Sequence, residues 1–451
     1  MEKQKSFLLS LSLLLVFSSC KGSSPAASSS SSDLDSSSSS FSVSSSSSTE
    51  GKDLDVAVLS DLHYLSPSLL SEGSNLAGKK LAYGESSDIL DMVLTRTGKR
   101  HPTALLIAGD LTKDGEKIGH EEVSKKLLKF EKDYSVPVYV IPGNHDINAP
   151  EKNSSIPYEA ERTTPSDFRS IYSEVTYSSP TILSSFVLEE GTSGGGLSYS
   201  ARIKSGVTLL ALDDNLYSKD STSSKSDNCE SGGNLSPALV TWAKEQLREA
   251  RTRNDFVIGL SHHGFLEHFQ GQKKLASSRL VANDSDTLSS LSSLGLHVVF
   301  TGHGHTDDVS EETFADGNSL VDVETGSLIS YPSSETYASF SASSSGKKEE
   351  DAVLERVTGG ILSYQDKTSN STTAIPDLSS YLKEKGYDTI GIDGIVPALL
   401  SKVLAGSRKR QRKYLSERCY PMYYSEATPF LLLSPRWLRL CFLFFPEERY
   451  R

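Results

Sequence analysis

Six short apolar runs, separated by helix-length segments, each stop at residues suited to a turn or to a metal. Leu54 to Ser60 runs into Asp61, Ala104 to Ala108 into Gly109, and Val136 to Ile141 into Pro142. Val207 to Leu212 leads to Asp213 and Asp214, Phe256 to Leu260 to Ser261 and His262, and His297 to Phe300 to Thr301 and Gly302. Short aliphatic and β-branched runs of this kind predict buried strands in an α/β arrangement. Between them, Ile118, Val123, Leu127, Leu128 and Phe130 form a helical stripe over 116–133. A second helix is predicted over 236–253, with Ser236 as N-cap and Pro237 at its first position. The strand pattern by itself fits a doubly wound sheet as well as a sandwich.

Residues just past the carboxyl ends of strands gather in one place in α/β folds. Six of the ten histidines fall there, beside carboxylates and an amide. In chain order the fragments are Asp61-Leu62-His63, Gly109-Asp110, Gly143-Asn144-His145-Asp146, Ser261-His262-His263-Gly264 and Gly302-His303-Gly304-His305. Each fragment alone is common. Five in sequence, all at strand ends, point to an imidazole and carboxylate cluster for two borderline metal ions.

These five blocks resemble the calcineurin-like metallophosphoesterases, from about Asp55 to Pro332. The resemblance implies a sandwich of two mixed β-sheets flanked by helices. It implies that Asp61, His63 and His305 hold one metal, that Asn144, His262 and His303 hold the other, and that Asp110 bridges them. Mn, Fe or Zn would suit such N/O ligands. The implied reaction is hydrolysis of phosphate mono- or diesters by a two-metal hydroxide mechanism, with His145 protonating the leaving oxygen. Of the adjacent pair His262 and His263, the family's frame puts the ligand first. His263 and His268 are candidates to line the substrate pocket, while Asp114 and Asp146 read as orienting or turn carboxylates, and the pair Asp213 and Asp214 as a loop cap. The segment Gly109-Asp110-Leu111-Thr112-Lys113-Asp114 departs from the pattern of protein Ser/Thr phosphatases, which makes a small phosphorylated substrate the expectation.

Outside these blocks composition carries the argument. With 46 basic against 58 acidic residues, a formal net charge of −12, attraction to a nucleic-acid polymer is not expected. Lys3 and Lys5 precede the apolar run Phe7 to Phe17, then Ser18, Ser19 and Cys20, the layout of a secretory signal peptide. The run is about half the ~20 residues of a membrane span. Small residues before Cys20 resemble a bacterial lipoprotein cleavage box, which would lipidate Cys20 and tether the exported chain to the outer side of the cytoplasmic membrane. Eighteen of the 26 residues from Ser23 to Ser48 are serine, the composition of a flexible linker. Cys229, Cys419 and Cys441 have no C-x-x-C spacing, so a cysteine zinc site is not supported. The expected organisation is a signal peptide at 1–22, a serine linker at 23–49, the phosphoesterase domain at 50–332 and an extension at 333–451 forming a small lobe or a partly unstructured tail. The competing functional reading is a surface lipoprotein that binds metal or a phosphorylated ligand without turnover.

Overall fold

Successive residues of a strand face opposite sides, and where both sides are buried a strand feeds two cores at once. In the computed structural model the strands in chain order are β1 (Ser36–Ser44), β2 (Leu54–Leu59), β3 (Ala104–Ala108), β4 (Val138–Ile141), β5 (Ile182–Ser185), β6 (Tyr199–Lys204) and β7 (Val207–Ala211). They continue with β8 (Phe256–Leu260), β9 (Leu296–Thr301), β10 (Asp308–Thr313), β11 (Ser319–Glu324), β12 (Ser334–Ser341) and β13 (Glu349–Thr358). The structure describes residues 54–70, 81–147, 160–187, 194–217, 232–330 and 333–341, together with the backbone of strands at 36–44, 349–358, 362–366 and 371–375.

The strands form two mixed sheets, ordered β1-β13-β12-β2-β3-β4 and β10-β11-β9-β8-β7-β6-β5. Val56, Val58, Leu106, Ala108 and Ile141 of the first sheet share one core with Leu209, Ala211, Ile258, Leu260, Val298 and Phe300 of the second. This is a sandwich, and a doubly wound sheet is excluded. The intervening residues Ala57, Leu59, Leu105, Ile107 and Val140 face helices α1 (Ser86–Arg100), α2 (Lys117–Tyr134) and α3 (Pro165–Ile171) on one outer side. Leu210, Val257, Leu296 and Val299 face α4 (Pro237–Thr252) and, past the short α5 (Gln272–Leu275), α6 (Ser285–Ser292) on the other. Each buried aliphatic side chain contributes about 1.5–3 kcal/mol. Ser236 caps α4 as expected, its Oγ accepting the Leu239 N–H at 3.2 Å.

Two domain boundaries require correction. The sheet does not stop at residue 332: β12 pairs antiparallel with β2 and β13 with β12, so the predicted extension supplies interior strands of the catalytic sandwich. Serine-rich though β12 is, Tyr337, Ala338 and Phe340 are buried and Ser339 Oγ donates to Asp55 Oδ1 at 2.5 Å. Ser36–Ser44, within the expected linker, pairs with β13 as an edge strand, a position that asks mainly for backbone donors and acceptors. The signal segment 1–22, all four cysteines and residues 376–451 lie outside the described residues. No helix among the described residues is long and apolar enough to cross a membrane.

His120, which has no role in the sequence reading, is a buried member of α2. Its Nδ1 is 2.9 Å from Tyr172 Oη and its Nε2 is 3.1 Å from Thr112 Oγ1. Burial lowers its pKa to about 3 from 6.5. The folded chain therefore resists a proton that the unfolded chain accepts. The associated stability is fully present above pH 6.5 and is lost as the pH falls towards 3. Between pH 7 and 4.5 the loss should be about 2–3 kcal/mol. Urea unfolding of His120→Gln should show a drop between those pH values smaller than wild type by about that amount, and equal drops would refute the assignment.

Candidate active site

Five of the six predicted strands deliver the fragments to one end of the sandwich. Asp61 and His63 follow β2, Asp110 follows β3, Asn144 and His145 follow β4, His262 and His263 follow β8, and His303 and His305 follow β9. Nine non-glycine residues among those described have positive φ, and five of them are predicted ligands: Asp61 (50°), His63 (39°), Asp110 (50°), His303 (64°) and His305 (57°). Each left-handed residue costs on the order of 1 kcal/mol or more. A cost concentrated on one residue set marks where the fold is shaped for something other than stability. The turns are held by backbone bonds, Asp61 N–H to Gly109 C=O at 3.1 Å and His63 N–H to Asp110 C=O at 2.9 Å. Gly109 (φ 87°) must be glycine, since a Cβ would lie 2.6 Å from His262 Nδ1 and 2.8 Å from Gly143 Cα.

Ligand atoms of Asp61, His63, Asp110 and His305 lie within 4.8 Å of one another, as do those of His262, His263 and His303. In the first group His305 Nε2 is 3.1 Å from both Asp61 Oδ1 and His63 Nε2, and His63 Nε2 is 3.6 Å from Asp110 Oδ2. In the second, His262 Nε2 is 3.1 Å from Asn144 Oδ1 and 3.4 Å from Asp110 Oδ2. Asp110 Oδ2 thus faces both groups. His262 Nδ1 sits 2.7 Å from the Ala108 carbonyl, which can only accept, so Nδ1 carries a proton and Nε2 is the nitrogen turned towards the cluster. His303 Nε2 is likewise turned to the Ser278 carbonyl at 3.1 Å.

The residues fit a pair of cations. Asp61 Oδ1 and Asp110 Oδ2 are buried, face only imidazole nitrogens and make no well-directed hydrogen bond, a costly state that a bound metal would relieve. Burial pushes the His63 pKa down to about 3, outweighing the Asp110 carboxylate beside it, so its lone pair is available to a metal. Burial disfavours ionised Asp110, but His262 and its other imidazole neighbours hold the carboxyl well below the usual range. For His262 the same pairing overrides burial, and its pKa rises to about 10. A metal at this position therefore has to displace a proton, and its binding releases one.

The sequence model of the calcineurin-like phosphoesterases matches residues 54–307, more than half of the chain. The chain belongs to this family. Among solved structures this phosphoesterase is similar to a dimetal phosphatase from Danio rerio, at 15% identity and a TM-score of 0.45, over 64% of this chain and 94% of that one. It is also similar to the phosphopantetheinyl hydrolase of Mycobacterium tuberculosis, at 15% identity and a TM-score of 0.29, over 60% and 89% of the two chains. No curated protein matches it.

In this phosphoesterase His145 lies beside the first group, its ring 5.0 Å from that of His63. His145 Nδ1 is 2.8 Å from the Lys113 carbonyl and 3.1 Å from Asp114 Oδ1. The carbonyl requires a proton on Nδ1, so a second proton at Nε2 makes the ring a cation that the Asp114 carboxylate favours. Burial opposes ionisation of Asp114, yet its bond to His145 and the ammonium of Lys113 keep its pKa below the ordinary value. Asp114 is thus the partner of His145. Asp146 accepts the N–H groups of Gly143, Leu111 and Thr112 at 2.8, 3.0 and 2.9 Å, tying the two ligand loops together.

His268, a candidate for the substrate pocket, belongs to neither group of ligand atoms. Its ring is taken by three carboxylates, with Nδ1 3.1 Å from Asp308 and Nε2 3.4 and 3.5 Å from Asp322 and Glu324. Burial opposes its protonation, but these neighbours raise its pKa well above the ordinary value. Glu324 fills the space that a Cβ on Gly304 would need, so the network backs the loop carrying His303 and His305. Asp213 organises its turn as expected, accepting from Leu197 N–H and Tyr217 Oη at 3.1 and 2.6 Å. Asp214 is more than a loop cap. It accepts from the Ser261 hydroxyl and the His263 backbone, each at 2.9 Å, and contacts His263 Nδ1 at 3.0 Å. Its acidic side chain at a strand end was the available signal. The roles of the Ala108 and Ser278 carbonyls had none, because any residue supplies a carbonyl.

Proposed function

We propose that this phosphoesterase hydrolyses phosphate mono- or diesters of a small substrate, using two Mn, Fe or Zn ions. The observation that carries this reading is the pair of buried carboxylate oxygens on Asp61 and Asp110, faced only by imidazoles without a well-directed hydrogen bond and flanked by His145. Bound there, the two ions would supply charge neutralisation for the phosphoryl oxygens and a water acidic enough to act at neutral pH. The remaining work belongs to the chain. Asp110 holds the two ligand groups in register, its Oδ1 accepting the His145 N–H at 2.7 Å. His145 gives its Nε2 proton to the departing oxygen while Asp114 offsets the ring's charge.

Export and tethering belong to the same proposal. They rest on the basic start, the short apolar run and Cys20 behind small residues, which would leave the lipidated chain on the outer side of the bacterial cytoplasmic membrane. The net charge of −12 supports a small substrate over a nucleic-acid polymer.

The test is metal analysis of the full-length chain together with hydrolysis of an aryl phosphomonoester and an aryl phosphodiester, after chelation and after restoring Mn, Fe or Zn. About two metals per chain with metal-dependent turnover is the expected result, and the ratio of the two rates assigns the ester class. Two metals with no turnover would favour a binding lipoprotein, and absence of metal would refute the reading.

A further inference from the structure

His263 is absent from the ligand set that the family resemblance gives. Neighbouring residues on an extended strand point to opposite faces, yet His262 and His263 lie past the end of β8 and their rings stand 5.0 Å apart. The His263 ring lies closer still to that of His303, at 4.3 Å. His263 is 1% exposed, and its Nε2 is buried with no hydrogen-bond partner. On the other side Nδ1 meets Asp214 Oδ1, and Asp214 is itself fully buried and anchored by Ser261. A carboxylate gripping Nδ1 puts the proton there and leaves a lone pair on Nε2, the arrangement that orients metal-ligating histidines. A buried imidazole nitrogen with no donor opposite it is otherwise a net cost. Its ligand atom is within 4.8 Å of those of His262 and His303.

We propose that His263 is a third imidazole ligand of the second metal, oriented by Asp214, so that this metal is held by His262, His263, His303, Asn144 and the shared Asp110. The inference rests on the two-metal reading above and deepens it. Three nitrogens on one ion make that position richer in imidazole than the first, which has His63 and His305. Such a site selects Zn, Fe or Co over Mg or Ca, which prefer oxygen.

The test is stepwise cobalt(II) titration of the full-length chain and of His263→Gln and Asp214→Asn, read by calorimetry and by the hyperfine-shifted imidazole N–H resonances in proton NMR. Orienting partners alone are worth about 10–100-fold in metal affinity. Removing His263 should therefore weaken one of the two steps by at least about tenfold, leave the other unchanged and delete one shifted exchangeable resonance. Asp214→Asn, which keeps the ring, should weaken the same step and shift that resonance. Two unaltered steps with all resonances retained in folded His263→Gln would overturn the assignment, as would a loss of turnover with metal binding untouched. A wild-type chain that takes up no cobalt would instead refute the two-metal reading, and this inference with it.

Discussion

Asp110→Asn is expected to empty both metal positions and abolish turnover while the chain stays folded. The substitution keeps the shape of the side chain, and an amide oxygen can still accept the His145 N–H that Oδ1 now receives at 2.7 Å. What disappears is the negative charge that Oδ2 presents to His63 at 3.6 Å and to His262 at 3.4 Å. An amide in that place bridges two cations poorly. Because the same oxygen faces both ligand groups, affinity should fall at both steps together, unlike the single step affected by His263→Gln. Metal content after gel filtration, circular dichroism and aryl phosphate hydrolysis decide the matter. A folded Asp110→Asn chain that retains two metals and turns over substrate would exclude Asp110 as the bridge.

His145→Asn separates chemistry from metal binding. No ligand is removed, so both metals should remain. Loss of a general acid costs about 10²–10⁴-fold in rate, and that cost depends on how much the leaving group needs a proton. The reduction should reach this range for an alkyl phosphate and be much smaller for a nitrophenyl ester, whose phenolate departs unaided. Steady-state kcat on the two substrates is the measurement. Equal losses on both would mean that His145 positions the phosphoryl group instead of protonating the leaving oxygen.

The centre of this fold was legible because its strands are buried on both faces. Such strands read as continuous apolar runs, and all six recognised runs became strands at almost the predicted positions. The candidate ligand fragments were legible only together, since a histidine or carboxylate after a strand is common in turns, as Asp213 shows, whereas five such fragments in sequence are not. What failed to show was structure whose signal is diluted. Helix α1 begins at Ser86 behind Glu85, whose side chain makes no capping hydrogen bond, so its start is unmarked. Strand β12 is serine-rich and hides Tyr337 on one face and Ala338 and Phe340 on the other among residues typical of turns. Strand β10, partly exposed and rich in acid, is an edge strand whose register comes from pairing with β11. In the site, the pairing of His263 with Asp214 was invisible because the two lie 49 positions apart and meet only when β7 and β8 align.

Each group of ligands draws on both sheets. Asp61, His63 and Asp110 follow strands of the first sheet and His305 a strand of the second, while Asn144 and Asp110 come from the first and His262 and His303 from the second. An ion at either position would therefore act as a rivet through the open rim of the sandwich, where apolar packing gives way to polar loops. At a free metal concentration one hundred times its dissociation constant, each ion adds about 2.7 kcal/mol to folding. Five left-handed ligand residues push the other way, so the rim without its rivets is the natural place for the two sheets to begin to part. Starvation for metal would then shorten the life of the molecule as well as silence it, by opening to proteases the edge from which the metal had been lost.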